Sequence, residues 1–584
     1  MVIQQQQWTR VASLAELKKT NCLTVSANGH TLALFAYGDA VYAIDNRCPH
    51  MGFPLNKGSV SDGILTCHWH HARFDLASGG TFDLWADDVP AFPVQLEGDD
   101  ILVDFTLRHD LKKHHRERMR DGLEQNLSLV LAKAVLGMFN QGADPAEPFE
   151  IGVEFGTRYR DDGWGRGLTT HGCMINLVPY LDEKDRARAL YHGLADIASE
   201  TEGMAPRFTT GALPEETTAD ITTLKRWLRR FVEVRDTDAV ERTIITAVRQ
   251  GADDREMADM LFAAATDHRY LDVGHTLDFI NKAFESLDVI GWEHAEQTLA
   301  SIAPILTSAM RMEENNAWRA PIDLIPLLEA AFERLPQALD AGSKTGRTQP
   351  DMDELAALVL EDNPKASIQA LLVALEDGVA PVDLAGVVTY VAALRIARFH
   401  TSNEFGDWDT ALHTFTFANA VHMGMRRVES ADLVRGIFDA AMSIYLDRFL
   451  NIPAARIPQP TEVVDDPAAL LNQLETLLNR QQQVNEAARL VALYLHSGGE
   501  PEALLAEIGR LLLREDRNFH TVQCIEAAFR QYSLLRGRPQ ANHVLIAAAR
   551  YLAAHAPTMR SQGQTYQIAE RLSRGENLFE DETA

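Results

Sequence analysis

Cysteine is scarce in this chain, with five residues among 584. Five scattered cysteines are too few for a disulfide framework, which favours a reducing compartment, and we expect a cytoplasmic protein. Long apolar runs are also missing, so no membrane span is expected. Basic residues are outnumbered, with 55 Lys and Arg against 83 Asp and Glu. The net charge of −28 argues against a nucleic-acid partner.

Two of the cysteines belong to a short motif that also contains histidine. Cys48-Pro49-His50 is followed by Cys67-His68-Trp69-His70, so that each of two loops offers one thiol and one imidazole. Two cysteines and two histidines can bind zinc. The same residue types hold a Rieske [2Fe–2S] cluster, in which histidines replace two of the cysteines on one iron. The motif alone leaves both possibilities open.

The residues around this motif resemble the Rieske ferredoxin family from Trp8 to Phe105. The matching segments are Thr31-Leu-Ala-Leu-Phe35, Val41-Tyr-Ala-Ile-Asp45, Asp62-Gly-Ile-Leu-Thr-Cys67, Ala72-Arg-Phe-Asp75 and Pro90-Ala-Phe-Pro93. The resemblance implies an all-β Rieske domain over residues 1–107 that carries a [2Fe–2S] cluster rather than zinc. It assigns Cys48, His50, Cys67 and His70 as the ligands, and single-electron transfer as the chemistry.

The same resemblance indicates which type of cluster to expect. High-potential respiratory members have a disulfide between the ligand loops, and hydroxyl groups that donate hydrogen bonds to the sulfurs. Phe53 and Trp69 stand at the places of those cysteines, and Ala72 and Phe74 at the places of the hydroxyl residues. Hydrogen bonds to the sulfurs raise the reduction potential. We therefore expect a low-potential centre, as in the ferredoxins that serve oxygenases.

Two histidines next to the motif depart from the family pattern. The family has proline and glycine where this chain has His68 and His71. His71 would strain a turn that glycine makes freely, or would add a titrating group near the cluster. The alternative is that both are merely solvent-exposed imidazoles.

After Phe105 the β-type alternation ends and helical periodicity begins. A charged stretch over 108–122 predicts a linker helix, and Ala- and Leu-rich amphipathic segments predict an all-helical domain over 123–584. Breaks containing Gly and Pro near 340–352 and 452–468 are candidate subdivisions of this domain. The sequence thus predicts a multidomain protein, with an N-terminal all-β Rieske fold followed by a large all-α domain.

A weak internal repeat runs through the helical part. His275-Thr-Leu, His413-Thr-Phe and His520-Thr-Val share a pattern, and His171-Gly-Cys is a fainter fourth copy. We expect these histidines in the first turns of similar helices. If the helices surround one centre, the imidazoles converge, and convergent imidazoles bind transition metals. The alternative is that His-Thr only caps or packs repeated helix starts.

Carboxylates near the repeat could complete such a centre. The candidates are Glu154, Asp267, Asp272, Asp407 and Asp409. His422 is excluded, because its spacing from His413 puts it on the opposite side of the same helix.

Two oxygenase families bear on the helical part. Arg188-Ala-Leu-Tyr-His192 and Asp272-Val-Gly-His275 are similar to segments of questin-oxidase-like proteins, which implies NADPH-dependent oxygen insertion. The iron-binding signature of ring-hydroxylating oxygenase large subunits begins at Asp272, but no second histidine follows near position 280. That family also has a mostly antiparallel catalytic domain, so we exclude it for this part of the chain.

Two functions remain open. In the first, the chain is an oxidoreductase whose cluster passes single electrons to a second iron site or a haem in the helical domain, where a small-molecule substrate is oxidised. In the second, it is an electron carrier or redox sensor with a non-catalytic helical docking domain. Both need a separate reductase, because no G-x-G-x-x-G follows a predicted strand.

Overall fold

The computed structural model describes residues 8–106, 110–576 and 578–579. The chain divides into two compact units, the first formed by Met1–Asp144 and Gln562–Ala584 and the second by Pro145–Ser561. The predicted division after residue 107 differs from this one, because the helices that follow it belong to the first unit. The start of the predicted linker helix, and the boundary at 107, lie outside the described residues.

The β-strands all lie in the first unit, as far as the chain is described. They are β1 Trp8–Ser13, β2 Cys22–Ala27, β3 His30–Tyr37, β4 Ala40–Asp45, β5 Ser59–Ser61, β6 Ile64–Thr66, β7 Arg73–Asp75, β8 Ala91–Phe92, β9 Val94–Glu97 and β10 Asp100–Asp104. They form three antiparallel sheets in the orders β1-β10-β9, β2-β3-β4-β8 and β5-β6-β7. The fold is the β-sheet Rieske domain that the sequence predicts.

The central strand β3 is buried on both faces. Leu32 and Leu34 pack into one core, which the sheet β1-β10-β9 also covers. Ala33 and Phe35 point the other way, into the core that contains Cys48. Successive side chains of a strand point to opposite faces, so an unbroken apolar run is what a doubly covered strand requires. Strand β3 therefore contributes to both cores, the one that contains Cys48 and the one beneath the sheet β1-β10-β9.

Both units also contain α-helices. They are α1 Leu14–Thr20, α2 Leu111–Glu124, α3 Ser128–Asn140, α4 Ala146–Tyr159, α5 Arg166–Leu177, α6 Glu183–Thr201, α7 Ile221–Glu233, α8 Thr237–Arg249, α9 Asp254–Thr266, α10 His275–Ile290, α11 Ala295–Ala300, α12 Ala303–Ser308, α13 Ile325–Thr345, α14 Met352–Leu360, α15 Pro364–Glu376, α16 Pro381–Ala397, α17 Phe405–Arg427, α18 Val434–Leu446, α19 Ala468–Leu477, α20 Val484–His496, α21 Pro501–Leu513, α22 Phe519–Leu535, α23 Pro539–Ala554 and α24 Ser561–Ser573. Helices α4 to α23 build the second unit, whose described residues contain no β-strand. The predicted order, an all-β domain followed by a large helical region, is confirmed.

Helix α2 is attached to the β domain by one buried arginine. The Arg118 guanidinium donates to an Asp87 carboxylate oxygen at 2.6 Å, and to the carbonyl oxygens of Leu84 and Ala86 at 2.7 and 3.0 Å. An arginine fork can satisfy several acceptors at once. These bonds explain why the helix predicted as a linker lies within the first unit. Within the described residues, no helix combines the length and apolar character needed to cross a bilayer.

The second unit contains a buried ionic cluster between α5, α10 and α22. The Lys282 ammonium lies 2.8 Å from carboxylate oxygens of both Glu285 and Glu526. The Asn176 amide donates to each of these carboxylates, and Arg530 contacts Glu285 at 2.9 Å. Lys282 is 1 % exposed. A charge at such depth is stable only when it is paired.

Removing this lysine should therefore be costly. We expect Lys282→Met to lower the free energy of unfolding by about 3–5 kcal/mol, because the buried Glu526 then loses its ion-pair partner and Glu285 keeps only Arg530. Arg249→Met is the matched control, since it removes a cation from an exposed pair with Glu296 and should change stability little. Denaturant unfolding followed by the helical circular-dichroism signal measures both. Equal losses in the two variants would contradict the prediction.

Candidate metal centres

The first ligand loop follows β4. The Cys48 N–H donates to the carbonyl oxygen of Phe53 at 2.8 Å, and the Gly52 N–H donates to that of Cys48 at 2.8 Å. Gly52 has a φ of 86°, in the left-handed region. These bonds close a tight turn that contains Cys48 and His50.

The second ligand loop, between β6 and β7, repeats this geometry. The Cys67 N–H donates to the Ala72 carbonyl at 2.8 Å, and the His71 N–H donates to the Cys67 carbonyl at 3.0 Å. His71 takes the place of Gly52, with a φ of 63°, and its side chain is exposed. A non-glycine residue pays about 1–2 kcal/mol in this conformation. The strained turn expected at His71 is therefore present. Its imidazole is also exposed to solvent, as the alternative interpretation expected.

The two loops bring their four predicted ligands together. The His50 and His70 ring centroids are 4.7 Å apart, and the rings are almost perpendicular, at 86°. The Cys48 and Cys67 thiols hydrogen-bond to each other, and both cysteines are buried in one core. His50 Nδ1 is buried and has no hydrogen-bond partner among the described residues. Two touching thiols and an orphaned buried imidazole nitrogen fit a [2Fe–2S] cluster at this place.

The protonation states of both histidines and of Cys67 also suit metal binding. Burial lowers the pKa of His50 to about 4 and lowers that of His70. The hydrogen bond from Cys48 lowers the pKa of Cys67 to about 6 and raises that of Cys48 itself. The backbone N–H groups of Trp69 and His70 also favour the Cys67 thiolate. Neutral imidazole and thiolate are the forms that bind metals.

Aromatic side chains enclose the loops. Trp85 packs on His50 with 4.7 Å between ring centroids, and Trp69 packs on His70 at 4.4 Å. Phe579 lies 4.8 Å from Phe53 and 5.4 Å from Trp69. The residues predicted to replace the hydroxyl donors, Ala72 and Phe74, are both fully buried. The expectation of a low potential stays a prediction.

A second group of histidines lies in the helical unit. His275 from α10, His413 from α17 and His520 from α22 each place one ring nitrogen within 4.8 Å of the others. The His413 and His520 Nε2 atoms are 3.0 Å apart. Ring centroids are separated by 4.6 Å for His275 and His413 and by 5.4 Å for His275 and His520. Three of the four repeat histidines thus converge, and we call them the histidine triad.

Burial keeps the histidine triad neutral. It lowers the pKa of His275 to about 3 and that of His413 to about 4, and it also lowers the pKa of His520. His275 Nδ1 is buried and has no hydrogen-bond partner among the described residues. Neutral imidazoles carry lone pairs, so three of them facing one point form a donor set for a transition metal.

One of the five candidate carboxylates adjoins the histidine triad. An Asp409 oxygen lies 3.8 Å from His520 Nδ1, and the other accepts a hydrogen bond from the Tyr551 hydroxyl at 2.6 Å. His555 Nε2 lies 3.6 Å from the same carboxylate. A carboxylate behind a histidine orients the ring and raises its basicity as a metal ligand. No pattern in the sequence pointed to Tyr551, which lies in α23, or to His555, which directly follows that helix.

The other four carboxylates have different surroundings. Asp407 accepts a hydrogen bond from the Glu404 N–H at the start of α17, and Asp267 forms ion pairs with Arg229 and Arg435. Glu154 lies with Glu150 near His294. Asp272 lies in the turn before α10. The Asp407 cap also explains a difference from expectation. It starts α17 early, so that His413 lies well inside this helix rather than in its first turn.

The structure does not place His171 with the histidine triad. His171 Nε2 donates to the Phe149 carbonyl oxygen at 3.1 Å, and its ring fits between Gly152 and Gly193. A Cβ at either glycine would come within 2.4 Å of the ring. The missing side chains therefore direct His171 into the α4–α6 interface. His422 hydrogen-bonds to Gln531 at 3.2 Å, and its predicted exclusion is confirmed.

A strained turn precedes His275. Asp272 and Val273 both have a φ of 49°, and Gly274 follows with a φ of 97°. The left-handed conformation is a true outlier for a β-branched residue such as valine. Strain of this kind costs about 1–3 kcal/mol per residue and collects at functional sites. The distortion sets His275 as the first residue of α10.

Comparison with known proteins agrees with the first centre. A family model for the Rieske [2Fe-2S] domain matches residues 7–93. The ferredoxin component of the naphthalene 1,2-dioxygenase system of Pseudomonas aeruginosa is 26% identical over 102 residues, which are 17% of this chain and 98% of that protein. The ferredoxin subunit of 3-phenylpropionate/cinnamic acid dioxygenase from Shigella boydii is 37% identical over 75 residues, 12% of this chain and 71% of its own length.

One solved structure shows the same coverage. The ferredoxin of carbazole 1,9a-dioxygenase from Nocardioides aromaticivorans is 32% identical and covers 17% of this chain and 97% of its own, with a TM-score of 0.16. The family match ends at residue 93. The similarity of the helical part to questin-oxidase-like proteins therefore stays a prediction.

Proposed function

Because this chain belongs, through residues 7–93, to the family of proteins with a Rieske [2Fe–2S] domain, we propose that it passes single electrons from an external reductase to a second metal centre in its helical unit. Cys48, His50, Cys67 and His70 hold the cluster, and the histidine triad holds the second metal. Iron is the proposed metal, since an electron acceptor must be redox-active and zinc is not. The second centre then acts on a small-molecule substrate, as in an oxygenase.

The observation that carries this proposal is the convergence of His275, His413 and His520 from three helices. Buried polar groups are normally hydrogen-bonded, and leaving one unpaired costs about 1–3 kcal/mol. An imidazole nitrogen that is buried and unpaired beside two other neutral imidazoles is explained by an absent cation. Helix capping does not account for the convergence of the three histidines, because His413 lies well inside α17.

Three imidazoles on one ion leave coordination positions open. Structural sites use four protein ligands, whereas sites that bind substrate or oxygen keep a vacancy. The spacing also favours a single ion over a haem, whose iron receives its protein ligands on the two faces of the macrocycle. Asp409 is proposed to orient His520, with the Tyr551 hydroxyl holding the carboxylate in place.

The Rieske cluster, when bound, accepts and donates one electron at a time. The two ligand loops position the cluster. The backbone N–H groups of Trp69 and His70 donate hydrogen bonds that stabilise the Cys67 thiolate. His70 is the less buried of the two ligand histidines. We propose that a reductase approaches on the His70 side.

The relatives support a multi-protein electron supply. They are named as ferredoxin components or subunits of dioxygenases, and one solved structure is described as a complex of an oxygenase with a ferredoxin. Fusing the carrier to its electron acceptor raises the effective concentration of the donor. In the second candidate function the helical unit is a non-catalytic docking module, and the chain is an electron carrier or redox sensor.

The number of electrons that each chain accepts distinguishes the oxidoreductase from the electron carrier or redox sensor. Anaerobic reductive titration of the iron-loaded full chain is expected to consume two electrons per chain, one for the cluster and one for the second metal. His413→Ala should consume one. His422→Gln, on the same helix but bonded to Gln531, should still consume two. A value of one for the unaltered chain would leave only the carrier or sensor function.

A further inference from the structure

Lys133 joins helix α3 to the first ligand loop. Its ammonium group donates to the carbonyl oxygens of Pro49 and His50 at 2.5 and 2.8 Å. Helix α3 lies outside residues 7–93, which match the Rieske family. The contact thus adds a cation to the ligand loop from a part of the chain that the domain family does not supply.

The charge of Lys133 is not neutralised by a carboxylate. Its partners are carbonyl oxygens, and no carboxylate of the described residues forms an ion pair with it. The carboxylate with the largest electrostatic effect on Lys133 is Asp87, which is bonded to Arg118. Burial lowers the pKa of Lys133, and the Asp87 charge opposes this change.

A second cation lies on the same side of the loop. Arg47 donates to the carbonyl oxygens of Leu572 and Glu576, again without a carboxylate partner within the described chain. Arg47 and Lys133 both line a cavity of about 380 Å³ that also reaches Cys48 and Pro49. The Asp45 carboxylate lines the same cavity and partly offsets the charge of Arg47. Two cations thus face one carboxylate beside the first ligand loop, which leaves the Lys133 charge uncompensated.

Positive charge at this place has a defined effect on a redox centre. Reduction adds one negative charge to the cluster, and a nearby cation stabilises the more negative state. Charge near an iron–sulfur cluster is one of the determinants of its reduction potential. We propose that Lys133 is a positioning residue that fixes the first ligand loop and raises the reduction potential of the cluster.

The charge of Lys133 opposes the low reduction potential that the ligand loops lead us to expect. Ala72 and Phe74 remove hydrogen bonds that would raise the potential, whereas Lys133 acts in the opposite direction. The proposed role of Lys133 requires the cluster but not the second metal centre. A negative result for Lys133 therefore leaves the proposed second centre untouched, and the reverse also holds.

The test is a redox titration of the full, cluster-loaded chain, followed by the EPR signal of the reduced cluster. Lys133→Gln and Lys133→Met are expected to shift the midpoint to lower potential, because both remove the charge. Lys133→Arg should stay near the unaltered value. Lys112→Met is the control, since Lys112 is exposed on α2.

Two results would overturn the inference. In the first, Lys133→Gln keeps a normal cluster content and a midpoint within the scatter of the Lys112 control. In the second, Lys133→Arg shifts as far as Lys133→Gln, which would mean that packing rather than charge is responsible. If Lys133→Met loses its cluster, the Gln and Arg variants decide, because each retains a donor for the loop carbonyls.

Discussion

Replacing His413 by alanine is expected to weaken metal binding by the helical unit by more than about 100-fold. Changes to groups that merely support a metal ligand cost 10–100-fold in affinity, and His413 is proposed to be a ligand itself. Its Nε2 lies 3.0 Å from that of His520, so its loss leaves only part of the donor set. Cobalt(II) is a suitable probe, because its visible absorption reports imidazole coordination directly.

The measurement needs a chain without cluster iron, and a Cys48→Ser background provides it. In that background Asp409→Asn should weaken cobalt binding by about 10–100-fold, since the carboxylate only orients His520. His422→Gln should bind like the parent, because its ring is bonded to Gln531 and takes no part in the triad. Unchanged cobalt affinity in His413→Ala would show that the histidine triad is a packing feature.

Replacing Cys48 by serine is expected to abolish the [2Fe–2S] cluster. Serine cannot supply the thiolate that iron requires at this place. Cys22 packs against the same core, but its thiol donates to the Asn56 carbonyl and belongs to neither ligand loop. The reduced chain should lose its Rieske EPR signal and its acid-labile sulfide. The helical circular-dichroism signal should persist, since the second unit has its own core.

Cys22→Ser provides the matched control. Cys22 lies in β2, where its thiol contacts the Asn56 carbonyl at 3.8 Å rather than the ligand loops. This variant should keep the full EPR signal. A cluster signal that survives in Cys48→Ser would refute the ligand assignment.

The first centre could be predicted from sequence because its geometry is local. Each loop closes by hydrogen bonds within a few residues of its cysteine, from Cys48 to Phe53 and from Cys67 to Ala72. Such turns follow from the residues of the loop itself. Even the strain at His71 could be expected, because the neighbouring pattern calls for glycine at that position.

The histidine triad was only partly predictable because helix spacing does not reveal which helices are neighbours. The repeat pointed to His275, His413 and His520, which the packing of three helices brings together. It also pointed to His171, whose direction depends on Gly152 in α4 and Gly193 in α6. No pattern around His171 itself records those two glycines.

Contacts between distant parts of the chain left no signal in the sequence. Lys133 reaches the Pro49 and His50 carbonyls from α3, and Arg47 reaches the carbonyls of Leu572 and Glu576. Backbone carbonyl acceptors are present in every residue, so no residue type marks such partners. The return of α24 to the first unit was missed for the same reason.

The return of the C-terminal segment also sets an order of assembly during synthesis. The ligand loops leave the ribosome long before Leu572, Glu576 and Phe579, because residues 145–561 come between them. About 500 residues separate the end of the second ligand loop from Leu572, so at 5–20 residues per second this interval lasts about 25–100 s. Throughout it Arg47 lacks its carbonyl acceptors, and Phe53 and Trp69 lack the ring of Phe579. The nascent chain therefore presents an open ligand loop until Leu572, Glu576 and Phe579 have been synthesised.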